Sequence, residues 1–149
     1  MASSAIRKSL WMSDRFDESM LISEDMEWSY RIKKKGHKIL YAKDSMVEHH
    51  HNYSLHDLYH RHVKEGIDSV RIFSINGSAT GLFLKVFLYP LAYSILRDTR
   101  DLLRTFSWKD VLTMPVYRLV LFWGRFQGAR RAVAQGSSEN VKGSRSQGF

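Results

Sequence analysis

Two groups of side chains in this sequence could do chemistry. The first is the adjacent pair Glu24 and Asp25, which follows Ser23 and opens an apolar-periodic stretch. Carboxylates in the first turn of a helix face its unpaired N–H groups and the positive end of its dipole, and both hold them ionised. An ionised Asp so placed can accept the proton of a hydroxyl nucleophile. An ordinary helix N-terminus uses the same residues for stability, so the pair alone leaves both roles open. The second group is histidine: six of seven lie between His49 and His62. His49-His50-His51 follows a predicted strand, where a loop can aim an imidazole at a metal ion. His56 and His60 stand four apart on a predicted helix, a spacing that suits a divalent metal. That helix lacks the Glu of His-Glu-x-x-His, which argues against a metalloprotease. A solvated helix face is the simpler account of His56, His60 and His62.

The elements that must position these residues can be read from periodicity and caps. Ser13 to Glu18 reads as a turn. A helix is predicted from Ser23 to about Lys35, with carboxylates in its first turn and lysines in its last. Met26 and Tyr30 mark one face, with Trp28 and Ile32 beside it, and Gly36 follows as a left-handed cap. His37 to Ala42 reads as a short strand, with Ile39 and Tyr41 on one side and Leu40 on the other. Ser54-Leu55-His56-Asp57 resembles a capping box with Asp in place of Glu. The helix behind it runs to about Phe73 on a stripe of Leu55, Leu58, Tyr59, Val63, Gly66 and Val70.

Composition limits the chemistry further. The chain has 149 residues and no cysteine, which excludes disulfides, thiolate nucleophiles and Cys-ligated metals and leaves only His and carboxylate as ligands. The net charge is +8, with 10 of the 23 basic residues but only 4 of the 15 acidic ones after residue 96. A basic surplus attracts nucleic acid, anionic lipid or phosphorylated ligands. Met1 to Ser9 has no apolar run behind a charged start and does not read as a signal peptide. Ala79 to Leu96 is apolar apart from Lys85 and Pro90, which puts it near the lower limit for a bilayer span. A short polar helix is expected over Arg97–Arg104. A second apolar stretch, Val111 to Trp123, contains Pro115 and Arg118. The Ser/Gly-rich tail from Gly136 to Phe149 is expected to be disordered.

In order along the chain stand Ser4-Ala5-Ile6-Arg7, Phe16-Asp17-Glu18, Glu24-Asp25 with Arg31 six residues after the Asp, Lys34-Lys35-Gly36-His37-Lys38-Ile39-Leu40-Tyr41, and Val47-Glu48-His49. This series, over about residues 4–73, resembles the second half of family 2 glycosyltransferases of the GT-A fold. The resemblance implies an α/β fragment, helix-rich with few short strands, forming the C-terminal, acceptor-side half of a GT-A domain over residues 1–76. Apolar and basic helices then follow over 77–135, and the tail over 136–149. It implies that Asp25 is the catalytic base on the acceptor hydroxyl in an inverting transfer, and that Glu24 helps to place the acceptor. It implies that His49 completes the coordination of Mg²⁺ or Mn²⁺ on a nucleotide-sugar diphosphate. Arg61 stands near the place of a diphosphate-contacting residue, but the family's Gln-x-x-Arg-Trp is absent, which weighs against processive polysaccharide synthesis. For Arg31 a structural pairing with a carboxylate is expected rather than phosphate binding.

The family's nucleotide-binding half carries an Asp-x-Asp motif, and this chain has none. The chain is therefore expected to be a fragment or a truncated reading frame, inactive alone. The partners implied are a nucleotide-sugar donor and a glycan or lipid-linked acceptor in the complete enzyme. Two apolar segments broken by proline and charge, with arginines between and after them, suit helices in a membrane interface. The expected location is the cytoplasmic face of a membrane, peripheral or monotopic. Nucleic acid is not expected as a partner, because no helix-turn-helix, RNA-recognition or zinc-finger signature occurs. The alternatives are a non-catalytic basic membrane-associated module and a His-rich metal-binding module.

Overall fold

The computed structural model describes residues 4–48, 52–105 and 108–146, with 101–105, 108–112 and 137–146 described by backbone alone. The chain divides into two compact units, residues 1–52 and 53–149. Every regular element among the described residues is helical.

The first unit contains α1 (Lys8–Ser13) and α2 (Glu24–Lys34). Ser23 occupies the N-cap position of α2, but its side chain makes no cap bond there. Glu24, Asp25 and Glu27 fill the first turn, and Arg31, Lys33 and Lys34 fill the last, matching the dipole at both ends. Gly36 follows with φ 86°, a left-handed conformation that glycine adopts without steric cost. The buried stripe is Trp28 and Ile32, whereas Met26 is exposed. One expectation fails in this unit: His37–Ala42 is not a strand. A strand needs a neighbour for its N–H and C=O groups, and among the described residues there is none. Leu40 and Tyr41 stand 87% and 92% exposed.

The second unit is built on α3 (Leu55–Phe73). Its N-cap behaves as a capping device: the Ser54 hydroxyl accepts from the Asp57 N–H at 3.1 Å and donates to Asp57 Oδ2 at 2.6 Å. After a break at Ile75–Ser78 the chain is helical from α4 (Ala79–Leu82) through a π-helical turn (Phe83–Leu88) into α5 (Tyr89–Thr105). The wide turn precedes Pro90, which has no N–H and whose ring displaces the carbonyl one turn back. It leaves Phe83 and Phe87 stacked 5.0 Å apart on the inner side. The polar Arg97–Arg104 stretch, expected as a separate helix, is the end of α5. The last element, α6 (Trp108–Ser146), is 39 residues long and carries Pro115 inside it. Its backbone stays helical through the Ser/Gly-rich stretch to Ser146, where disorder is expected from composition. Extending an existing helix costs only the residues' propensities, without a new nucleus, and no proline interrupts this end.

The core joins Leu82 and Phe87 to Phe122, Phe126 and Ala129 of α6. Phe126 meets Phe83 edge-on at 5.5 Å, and Trp123 meets Phe87 edge-on at 5.6 Å. Along the other side of α6 the contact with α3 is glycine-lined. A Cβ on Gly128 would collide with the Val63 carbonyl, one on Gly66 with the Arg125 carbonyl, and one on Gly124 would lie 2.8 Å from the Tyr59 carbonyl. The two backbones therefore touch directly. Across this seam Arg125 donates to Glu65 Oε2 from Nε at 2.9 Å and from Nη2 at 2.7 Å, while His62 Nδ1 lies 2.7 Å from the same oxygen. His62, expected on a solvated face, is buried by this arrangement.

Two predictions follow from the seam. Gly128→Ala gains up to ~1 kcal/mol of helix propensity, but its methyl group meets backbone that cannot rotate away, and such overpacking costs about 1–3 kcal/mol. Thermal melts followed by circular dichroism should therefore show a fall for Gly128→Ala. They should show no fall for Gly136→Ala, whose Cβ would meet nothing within 4 Å. The second concerns acid. Burial alone would raise the Glu65 carboxyl, but His62 and Arg125 outweigh it and hold it down at about 2, below its ordinary 4.5. A depressed carboxyl stabilises the folded state above its unfolded value, and that contribution is lost as pH falls from about 4.5 towards 2. Glu65→Gln should flatten the dependence of the denaturation midpoint on pH in that window.

Candidate functional site

Glu24 and Asp25 are adjacent at the N-terminus of α2. Asp25 is half-buried and Glu24 exposed. Asp25 Oδ1 accepts from the Met26 N–H at 2.7 Å, so the helix end fixes the carboxylate. Trp28, Ser29 and Ile32 lie one and two turns further along the same side of α2. All three line an open cleft of about 1100 Å³, together with Ile6, Arg7, Ser9 and Leu10 and the His37–Ala42 segment. Asp25 thus stands one turn N-terminal to the cleft floor. Hydroxyl groups of Ser4, Ser9, Ser13 and Ser29 and the cationic Lys38 share this cleft with apolar Trp28, Ile32 and Leu40. Such a mixture can hold a polar, hydroxyl-bearing molecule against an apolar floor.

α2 is anchored to the turn before it. The Trp28 indole N–H donates to the Asp14 carbonyl at 2.5 Å, and Phe16 packs edge-on against Trp28 at 5.8 Å. Arg31 donates to Glu27 from Nε at 2.8 Å and from Nη2 at 3.0 Å, pairs with the Asp14 carboxylate, and donates to the Arg15 carbonyl at 2.8 Å. Lys35 pairs with the same Asp14. The Lys35 hydrogen bond, with the charges of Lys35 and Arg31, holds the Asp14 carboxyl below its usual range. Arg31 is therefore a structural clamp, with bonds to Glu27 of its own helix and to Asp14 and Arg15 in the turn before α2.

The other predicted residues lie elsewhere. Arg61 is on α3 in the second unit, where its guanidinium lies over the Tyr53 ring at 5.5 Å and donates to the Tyr53 hydroxyl at 3.1 Å. Its Nε is 3.9 Å from Glu65. His49 lies outside the described residues. His56 and His60 are exposed, with rings 4.4 Å apart and Nε2 atoms 3.1 Å apart. Among the described residues no three His, Asp or Glu side chains gather to hold a metal ion. They do not by themselves fit Mg²⁺ or Mn²⁺, and no chemical step is assigned to such an ion.

Two pairs escaped sequence reasoning. One is Glu65–Arg125. The other is a bidentate bridge in which Arg118 donates to Asp98 Oδ2 from Nε at 2.7 Å and to Oδ1 from Nη2 at 3.1 Å. A charge inside an apolar stretch, as at Arg118, is the signal that an internal counter-ion exists. Comparison of the chain with protein-family models, curated proteins and solved structures returns no match in any of the three.

The Arg31 clamp carries a prediction. Arg31→Gln and Asp14→Asn should each lower the denaturant midpoint of the first unit. The double variant should lose less than the sum of the two, because both remove the same contact. A strictly additive cycle would mean that the pair does not couple.

Proposed function

We propose that this chain is the acceptor-side part of an inverting glycosyltransferase, in which Asp25 deprotonates an acceptor hydroxyl. The reading is carried by one observation joined to the ordered motifs. Asp25 sits at a helix N-terminus, held by the Met26 N–H, one turn from the floor of a cleft that offers hydroxyls and apolar surface together. On this reading the cleft receives the acceptor, Asp25 takes the proton of the attacking hydroxyl, and Glu24 helps to place the acceptor from beside it. The hydroxyl oxygen then attacks the anomeric carbon of a nucleotide sugar and the diphosphate leaves from the opposite face, which inverts the configuration. Neutralising the leaving diphosphate requires groups beyond these two carboxylates. His49 is the residue of this chain proposed to contribute. Because the chain has no Asp-x-Asp, donor binding is assigned to a complementary nucleotide-binding part.

The second unit supports association with a membrane. A helical stretch of 22 residues, Ala79–Arg100, is apolar enough to cross a bilayer, and basic residues follow it. A lipid-linked acceptor at the cytoplasmic leaflet would bring substrate and enzyme to one surface.

The test is complementation. The chain alone is expected to give no transfer from UDP- or GDP-sugars. With a donor-side part supplied, transfer should appear, and Asp25→Asn should reduce kcat by about 10²-fold or more. Turnover by the chain alone would sink the division of labour, and undiminished transfer by Asp25→Asn would remove Asp25 from the role of base.

A further inference from the structure

The hairpin of α5 and α6, with the π turn before it, has two apolar faces, and only one of them is used. The inner face holds the Phe87–Phe122–Phe126 core. The outer face carries Leu84, Leu88 and Leu96 on one arm and Val116 and Leu119 on the other, all between 44% and 72% exposed. Burying one such side chain is worth about 1.5–3 kcal/mol, so this surface favours an apolar partner.

Charge indicates which partner. Arg97 and Arg100 are exposed near the hairpin turn, and Arg130 and Arg131 are exposed beyond the other end of the apolar stretch. Both ends of the outer face are thus basic, which complements anionic headgroups on every side of an apolar patch. The single charge within that patch, Lys85, is exposed and has a stem long enough to reach the headgroups. Arg118 lies in the middle of the apolar part of α6 but points inward. Its guanidinium meets Asp98, whose carboxylate is only 9% exposed. The bridge clasps the arms together and keeps the charge of Arg118 off the outer face. Lipid is a medium in which an unpaired Arg is costly and a paired one is tolerated.

Length decides the orientation. Val111 to Trp123 spans about 20 Å as helix, against a hydrocarbon core of about 30 Å, so the apolar stretch of α6 is too short to return across a bilayer. A crossing α5 would also carry Arg97 and Arg100 to the far side. We propose that the α5–α6 hairpin lies in the plane of one leaflet, its outer face sunk into the acyl boundary of an anionic membrane, with Asp98 the internal counter-ion of Arg118. This rests on the membrane association proposed above and adds the face, the orientation and the clasp.

The chain has no cysteine, so single-cysteine variants of the full chain take a nitroxide at one place only. Leu88→Cys, Leu96→Cys and Leu119→Cys report the outer face, and Lys64→Cys, exposed on α3, reports solvent. The probe is vesicles of phosphatidylcholine with phosphatidylglycerol, compared with phosphatidylcholine alone. The chain should sediment with the anionic vesicles only. The three outer labels should then read oxygen-rich and nickel-chelate-poor at one shallow depth, about 5–10 Å, while position 64 remains in water. Failure to sediment would overturn both the membrane association and this proposal. Bound protein with water-exposed outer labels would overturn the proposal and leave the association standing, as would depths at 88 and 96 that differ by a bilayer half-thickness. Asp98→Asn should move the label at 119 toward water, and Asp98→Glu should restore it. If Asp98→Asn leaves that depth unchanged, or Asp98→Glu does not restore it, Asp98 is not the counter-ion.

Discussion

The second unit depends on the direct contact of two helix backbones. Gly66 on α3 and Gly124 and Gly128 on α6 remove the side chains that would otherwise separate the helices. Small residues four apart let helices approach to backbone contact, and each then gains dispersion over a wide strip. The approach fixes what lies on either side of it. It brings Arg125 within reach of Glu65, it buries His62, and it sets the rotation of α6 so that Phe122 and Phe126 turn toward Phe87. A wider spacing would lengthen the Glu65–Arg125 bonds and leave a half-buried carboxylate without its cation, which costs more than the pair itself contributes.

The same economy governs the arginines. A sum of charges reads them as a field for phosphates or nucleic acid, yet three of them are turned onto carboxylates of the chain. Arg31 clamps Glu27 and Asp14, Arg118 holds Asp98, and Arg125 holds Glu65. Apart from the Arg31–Glu27 bond within α2, each pair joins segments distant in sequence, so each acts as a positioning device rather than a ligand site. Guanidinium suits this work because its planar fork offers paired donors to a carboxylate, which a lysine ammonium cannot match. Arg97, Arg100, Arg130 and Arg131, by contrast, stay exposed at the ends of the hairpin, beside apolar surface.

What the sequence made legible is local. α2 and α3 follow from their caps, end charges and apolar stripes, and the Ser54 cap was readable because its partner lies three residues away. The Gly36 turn was readable for the same reason. His37–Ala42 has the alternation of a strand, but alternation describes side chains, whereas a strand is made by a neighbour that no local pattern supplies. The tail has the composition of a disordered segment, but composition carries no information about the helix that runs into it. The glycine seam, Glu65–Arg125 and Asp98–Arg118 depend on which helices meet, and spacing such as Gly124-x-x-x-Gly128 only hints at it. For the candidate site the split is similar. The place of Asp25 at a helix start was legible, whereas the cleft one turn away is formed by residues from three separate stretches.

That cleft bears on how Asp25 is to be understood. A carboxylate bonded to the next N–H at a helix start is equally suited to stabilising the helix and to receiving a proton. Local geometry does not distinguish them, since both need an ionised oxygen held still. The distinction lies in what else is within one turn. A capping carboxylate needs only its own helix, whereas a base needs room beside it for the group that gives up the proton, and surface to hold the rest of that molecule. Ser29, Trp28 and Ile32 supply such surface along the same side of α2, and Ser4, Ser9 and Ser13 line the same cleft. On the proposed reading the two demands of glycosyl transfer are then met in different places. Activation of the nucleophile needs one carboxylate and a cleft, which one helix and its flanking segments can position. Stabilising a departing diphosphate needs several converging cations or metal ligands, and three of this chain's arginines are committed to holding its own helices.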